Sequence, residues 1–189
     1  PTAARLHIDT SDSRYIEGPF GSGKTTACLF ELIKLAMEQQ PDEQGVRRTR
    51  WAIIRNTYPE LKSTTIKSFQ RWVPNEIAPV VYSIPITSRF KQRLPDGTRV
   101  DIEFIFMALD SSEDVAKLLS LEITGAYINE GREIAWEVME GLVGRIGRYP
   151  ETIKDADTGE VTYGPTRPCI VVDSNPPRTT HWLHTQFAT

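Results

Sequence analysis

Gly18-Pro19-Phe20-Gly21-Ser22-Gly23-Lys24-Thr25 is the stretch on which the reading of this chain turns. It fits G-x-x-x-x-G-K-[ST], the phosphate-binding P-loop pattern. A triphosphate is a dense negative charge with many acceptor oxygens. A glycine-rich turn lets successive backbone N–H groups point inward at it, and the helix that follows presents its positive end. Lys24 can then reach the β and γ oxygens, and the Thr25 hydroxyl can sit on Mg²⁺. The flanks favour this over a chance glycine turn. Arg14-Tyr15-Ile16-Glu17 reads as the end of a short strand. Thr26 to Gln39 reads as a helix with Cys28, Leu29, Leu32, Leu35 and Ala36 along one side. Strand, loop and helix follow in the order the pattern requires. The nucleotide-binding set is therefore Gly18, Pro19, Phe20, Gly21, Ser22, Gly23, Lys24, Thr25 and Thr26, with ATP as ligand.

Working outward, strands alternate with helices. Residues 1–14 are polar and read as a lead-in, and Pro41 to Arg48 as a charged loop. Arg50 to Arg55 reads as a short buried strand, and Ser63–Val73 as a helix with Ile66, Phe69 and Val73 on one face. Val80–Leu94 and Thr98–Leu109 flank Pro95-Asp96-Gly97, a hairpin signal. The second run sets Val100, Ile102, Phe104 and Phe106 against Asp101, Glu103 and Ile105, as a half-exposed strand should. Ser111 to Asp114 reads as a helix start, Ile123–Ile128 as a strand, and Ile134, Val138 and Leu142 as one face of a helix. Tyr149–Pro168 is rich in turn residues, and Cys169–Val172 is a final buried strand. The pattern predicts an α/β fold: a parallel sheet flanked by helices, with an inserted antiparallel β-hairpin.

Composition narrows the classes. With 39% hydrophobic and 25% charged residues in 189, the chain can bury a core as one domain. No apolar run approaches the roughly 20 residues that span a bilayer, and no secretory leader is seen; no membrane partner is expected. Cys28 and Cys169 make no C-x-x-C pair, so neither a disulfide framework nor a zinc site is suggested, and a reducing cytosol is the default. The net charge of −3 implies weak binding of nucleic acid by this domain alone. His181-x-x-His184 lacks companion ligands and reads as surface.

A P-loop alone does not hydrolyse a nucleotide. Ala126-Tyr127-Ile128-Asn129-Glu130 offers the second element: a strand ending in a carboxylate. Strand C-termini of an open α/β sheet converge on the ligand crevice, so Glu130 can orient water at the γ-phosphate. Its plainer alternative is a surface acid at a helix start. The strand usually ends Asp-Glu, with the Asp on the metal side. Here Asn129 keeps an oxygen for a metal-bound water but lacks the charge, so Thr25 and Asn129 are the candidate metal-side residues and Asp173 the nearest compensating carboxylate. Asp173-Ser174-Asn175, at the end of the last strand, is a candidate γ-phosphate sensor and coupling element, against a simple Asn-Pro turn. Transition-state charge calls for a cation in cis or in trans. Arg145 and Arg148 are the first candidates beside Lys24, with Lys117, Arg132 and Arg55 behind them.

Gly18–Thr26, Arg55–Leu61, Leu118–Ile134, Gly144–Pro150 and Asp173–Pro177 together resemble the N-terminal ATPase domain of the large terminase subunit of tailed bacteriophages, over roughly residues 14–182. Asn-Glu in place of Asp-Glu is common among such proteins. The resemblance implies a P-loop NTPase fold of the ASCE/RecA-like type, with ATP and Mg²⁺ as cofactors. It implies ATP hydrolysis coupled to translocation of double-stranded DNA into a procapsid, in the cytoplasm of an infected bacterial host. The implied partners are a portal protein, a small terminase subunit, and further copies of the chain in a ring, commonly a pentamer. Lys24 and Thr25 match the P-loop, Glu130 the catalytic carboxylate, and Ser174-Asn175 the coupling motif. The family's trans-acting arginine falls where this chain has Lys117-Leu118-Leu119. The family's C-terminal half is a metal-dependent nuclease. Nothing in 1–189 resembles it, so the expectation is a single ATPase domain without nuclease activity. Two other readings stay open: a nucleotide-gated interaction module that does not hydrolyse ATP efficiently, and a different P-loop NTPase such as a helicase or small-molecule kinase.

Overall fold

A computed structural model describes residues 2–109 and 111–187. The chain begins with α1 (Thr2–Ile8) and β1 (Ser13–Glu17), then α2 (Lys24–Glu38) and β2 (Val46–Arg55). A helical stretch follows: α3 (Tyr58–Glu60), a π-helical turn (Leu61–Ile66) and α4 (Lys67–Trp72). Next come β3 (Val80–Val81), β4 (Ile86–Arg93), β5 (Arg99–Ala108), α5 (Ser112–Leu118), β6 (Gly125–Ile128) and a 3₁₀ turn (Gly131–Glu133). The remainder is α6 (Trp136–Val143), a small hairpin of β7 (Ile153–Lys154) and β8 (Val161–Tyr163), β9 (Ile170–Ser174) and α7 (Trp182–Phe187).

Seven strands form one sheet in the order β1-β9-β6-β2-β5-β4-β3. The first five run parallel; β4 and β3 extend the sheet antiparallel. The P-loop strand β1 and the Glu130 strand β6 are separated by β9, the topology of the ASCE/RecA-like P-loop fold. Parallel strands buried on both faces alternate between two cores. Trp51 and Ile53 point into the layer shared with α2 and α4, where Phe69 packs edge-on against Phe104 and Phe106. Ala52 and Ile54 point into the layer built by α6 and α7 with Val138, Leu142 and Leu183.

Several elements differ from expectation. The hairpin is more than an insertion: its second strand, β5, pairs with β2 along ten residues and belongs to the main sheet. That pairing extends β2 back to Val46, into the expected charged loop. Asp101 and Ile105, expected on an exposed face, are buried, and Asp101 receives a bidentate hydrogen bond from Arg89 at 2.6 and 2.7 Å. Within the polar lead-in, residues 2–8 form α1. Seven residues are too few for an autonomous helix; α1 is held by burial of Leu6 and by Lys34 donating to the His7 carbonyl at 2.5 Å. Ser111 does cap α5, accepting from the Asp114 N–H at 3.2 Å.

Candidate active site

Because β1, β9 and β6 are parallel, their C-terminal ends open on one edge of the sheet. Ile16 is in register with Asp173, and Ile128 with Val172. The three sequence elements therefore meet without any long side chain having to reach. The P-loop leaves β1 at Gly18, whose N–H donates to the Ser174 carbonyl at 3.3 Å. A Cβ at Gly18 would lie 2.8 Å from Ser22 Oγ. Gly21 and Gly23 have φ of 73° and 82°, where an L side chain is strained, so the tight curl into α2 calls for glycine.

Lys24 is buried, and its ammonium lies back in the loop. It donates to the carbonyls of Gly18 at 2.8 Å and Pro19 at 3.0 Å, and to Asn175 Oδ1 at 3.1 Å. Asn175 in turn faces Glu130: its Nδ2 is 3.4 Å from Glu130 Oε1, and its N–H is 3.4 Å from Glu130 Oε2. One amide thus connects the P-loop cation to the candidate water-orienting carboxylate. Glu130 has φ 56° and ψ 57°, alone among the described non-glycine residues in having a positive φ. Such strain persists only where surroundings enforce it, and it clusters at functional sites. Here the enforcing contact is the Glu130 N–H donating to Asp173 Oδ1 at 2.8 Å.

Asp173 is the hub of the site and has no solvent exposure. Its Oδ2 accepts from the Thr25 hydroxyl at 3.0 Å and the Tyr127 hydroxyl at 3.1 Å; its Oδ1 also accepts from Asn129 Nδ2 at 2.9 Å. Burial pushes its carboxyl above the usual range, against hydrogen bonds from Glu130, Asn129 and Thr25 that favour the ionised form. Burial also pushes the Tyr127 hydroxyl up, with the Asp173 charge adding to it, so Tyr127 stays a neutral donor.

Other expected residues stand differently. Asn129 turns its amide nitrogen, rather than an oxygen, toward Thr25 at 3.5 Å, while its Oδ1 accepts from the Thr65 hydroxyl at 2.7 Å. Reversing the amide would set its oxygen against Asp173 Oδ1, so the hydrogen-bond pattern selects this orientation. Ser174 turns away from Lys24: its Oγ donates to the Asn175 carbonyl and accepts from the Arg132 N–H, leaving Asp173 and Asn175 as the parts of that motif that face the P-loop. The turn carrying Arg145 and Arg148 lies at the far end of β6, where the Gly147 and Arg148 N–H groups donate to Thr124 and Ile123. At ~3.3 Å per strand residue that is about 17 Å from Asn129. Neither arginine reaches this chain's own P-loop, because α6 carries the chain back down the sheet. Lys117 is exposed and paired with Glu113 and Asp114. Arg55 does approach: it is buried, donates to the Asn129 carbonyl at 3.3 Å, and lies 3.3 Å from Glu133 and 3.6 Å from Glu60. Burial pushes the Glu133 carboxyl up, with Arg55 opposing.

Tyr127 and Thr65 were not legible as site residues. Tyr127 reads as one more apolar strand position, and Thr65 lies in the π-helical turn, where the ordinary helical period fails. A buried carboxylate beside a P-loop threonine hydroxyl, and a lysine satisfied by loop carbonyls that phosphate oxygens can replace, fit a metal–nucleotide ligand.

The family described as terminase large subunit, T4likevirus-type, N-terminal, matches residues 15–135. No curated protein matches the chain. Among solved structures, the large terminase of a thermophilic bacteriophage superposes with a TM-score of 0.68 at 12% identity, covering 99% of this chain and 41% of that one. The same protein in complex with ADP gives 0.66 at 13%, with the same coverage. A mutant of the ATPase domain of the Thermus phage P74-26 large terminase gives 0.52 at 14%, covering 96% and 66%. The chain thus spans about 41% of the length of the thermophilic phage protein. With the P-loop fold in place and the family matching 121 of its residues (15 through 135), the chain belongs to the large terminase subunits, as their N-terminal part.

Proposed function

We propose that this chain binds ATP at the P-loop and hydrolyses it as the motor domain of a DNA-packaging terminase. The observation that carries the reading is the Asn175 bridge between Lys24 and Glu130. It makes the state of the phosphate site and the state of the catalytic carboxylate one mechanical unit. Family membership and the ADP and ATP-γ-S complexes of the thermophilic phage terminase support the nucleotide.

In the proposed reaction the γ-phosphate oxygens replace the Gly18 and Pro19 carbonyls around Lys24. Glu130 accepts a proton from water as its oxygen attacks phosphorus in line, and the bond to the β-phosphate oxygen breaks. Thr25 and Asp173 would hold Mg²⁺, which would supply positive charge beside the phosphates. Loss of phosphate returns Lys24 to Asn175, and Asn175 reports the change to the segment after β9. Arg145 and Arg148 sit at the wrong end of the sheet to act in cis, Arg55 and Lys117 are held against acids, and Arg132 is turned to Glu130 itself at 3.7 Å. The remaining cation is therefore assigned to a neighbouring copy in a ring, commonly a pentamer, on the portal protein. Double-stranded DNA and a small terminase subunit are the further partners, and the procapsid portal in the infected cell is the location.

Phosphate release should be measured against protein concentration, with and without double-stranded DNA, for the wild type and Glu130→Ala. Release should rise faster than linearly with concentration. Glu130→Ala should lower it by about 10²–10⁴-fold, the usual worth of a general base, while ATP binding persists. Clear ATP binding by the wild type with no release at any concentration would instead favour a nucleotide-gated module.

A further inference from the structure

In the common P-loop arrangement the metal-side carboxylate ends the strand that also carries the catalytic glutamate. In this chain that position is Asn129, and a fully buried carboxylate stands one strand closer to the P-loop. We propose that Asp173, on β9, is the metal-side carboxylate of this site, and that Asn129 is its positioning residue. The inference rests on the nucleotide-binding reading above.

Topology comes first. β9 lies between β1 and β6, so its last residues stand beside the P-loop strand, whereas Asn129 is two strands away. The contacts agree. Asp173 Oδ2 takes the hydroxyl hydrogen of Thr25, the P-loop residue assigned to the metal, at 3.0 Å. Asn129 approaches the same hydroxyl only at 3.5 Å, through an amide nitrogen that cannot ligate a cation. Four neutral donors surround Asp173: the hydroxyls of Thr25 and Tyr127, the Asn129 amide and the Glu130 N–H. A buried carboxylate normally has a cationic partner or a metal. None of the ion pairs of the described residues supplies one.

The pair is also mutually exclusive. Thr65 fills the Asn129 oxygen, which leaves the amide nitrogen to donate to Asp173. An aspartate at 129 opposite Asp173 would place two carboxylates in contact and remove a donor. The order is fixed as well: Asp173 Oδ1 accepts from both the Glu130 N–H and the Asn129 amide, and an asparagine at 173 beside an acid at 129 would set there either its nitrogen against the Glu130 N–H or its oxygen against the carboxylate.

The test is ADP binding by the chain, by calorimetry in EDTA and in Mg²⁺, with Mn²⁺·ADP binding followed by electron paramagnetic resonance. Asp173→Asn should weaken Mn²⁺·ADP by about tenfold or more, the scale seen when groups around a metal are lost, while ADP in EDTA shifts less than about threefold. Asn129→Asp should also weaken the metal complex. The double variant Asn129→Asp/Asp173→Asn should not recover the loss, because the Glu130 N–H and the side chain at 129 meet the same atom of residue 173. Thr65→Val, which leaves Asp173 intact but frees the Asn129 amide, should weaken Mn²⁺·ADP by roughly threefold with ADP in EDTA unchanged; it serves if Asp173→Asn does not fold. Unchanged Mn²⁺ affinity in Asp173→Asn, recovery of wild-type affinity in the double variant, or no effect of Thr65→Val would overturn the assignment. A wild type that binds no ADP in either condition would overturn the nucleotide reading itself.

Discussion

Glu130 carries the sharpest conflict between local preference and function. Its φ of 56° costs about 1–2 kcal/mol for a residue with a Cβ. Glycine would relieve that strain, so Glu130→Gly and Glu130→Ala should part in stability though both lose the carboxylate. Thermal melting should place the glycine variant above the alanine variant, with phosphate release lowered alike in both. Equal or reversed melting would mean the strain is not stored there. Asn175 is the second residue of consequence. Asn175→Asp would set a carboxylate against Lys24, now 3.1 Å from the amide oxygen, and against Glu130. The bond from Lys24, already charge-assisted, would become an ion pair that competes with phosphate for the ammonium, worth about 1–4 kcal/mol between bulk water and a protein surface. Weaker ATP binding by about tenfold is the expected result, measured by titration calorimetry.

At the scale of elements, the site depends on how closely β6 and β9 approach. At Gly125, the first residue of β6, a Cβ would come within 2.2 Å of the Cys169 carbonyl and 2.4 Å of the Trp51 ring. Neither backbone nor a fully buried tryptophan can yield cheaply. Gly125→Ala should therefore cost about 2 kcal/mol or more, lowering the melting temperature by roughly 4–8 °C for a chain this size. No change in the denaturation midpoint would mean that the two strands can separate at that end. The π-helical turn shows the converse, an element whose geometry serves the site. By widening the helix at Leu61–Ile66 it buries the neighbours Thr65 and Ile66 together, one toward Asn129 and one into the core.

On the scale of the whole molecule, both cysteines lie inside the layer between the sheet and α2. Burial pushes the Cys28 thiol well above its ordinary range, and that of Cys169 up to about 12. Since the thiolate is the reactive form, neither should react with a disulfide reagent at neutral pH until the fold opens. Saturating ATP and Mg²⁺ should then slow labelling in proportion to 1 + [ATP]/Kd, about 100-fold at 100 times Kd. Labelling at the same rate with and without nucleotide would indicate opening that does not involve the P-loop helix. The net charge of −3 has its own consequence. Binding of double-stranded DNA by the isolated chain should be weak and lost steeply as salt rises, as a filter-binding series from about 50 to 200 mM salt can check.

The amino-acid sequence by itself determined the P-loop, the alternation of strands and helices, the Pro95-Asp96-Gly97 hairpin, the helix that opens with Lys24 and the two strand ends that lead to Glu130 and Asn175. These are local: they rest on glycine at positive φ, on apolar periodicity, and on residues adjacent in the chain. Tertiary structure alone decided which strand lies beside which. Placing β9 between β1 and β6 made Asp173 the hub and brought Tyr127 to it, the return of α6 took Arg145 and Arg148 to the far end of β6, and the π-helical turn brought Thr65 to Asn129. It also turned the charged start of β2 into strand and the polar first residues into α1, through pairings with β5 and α2 that no local window contains. The physical reason is common to all of these. Hydrogen-bond and ion-pair partners far apart in the chain, such as Lys24 and Asn175, leave no trace in the spacing of either segment.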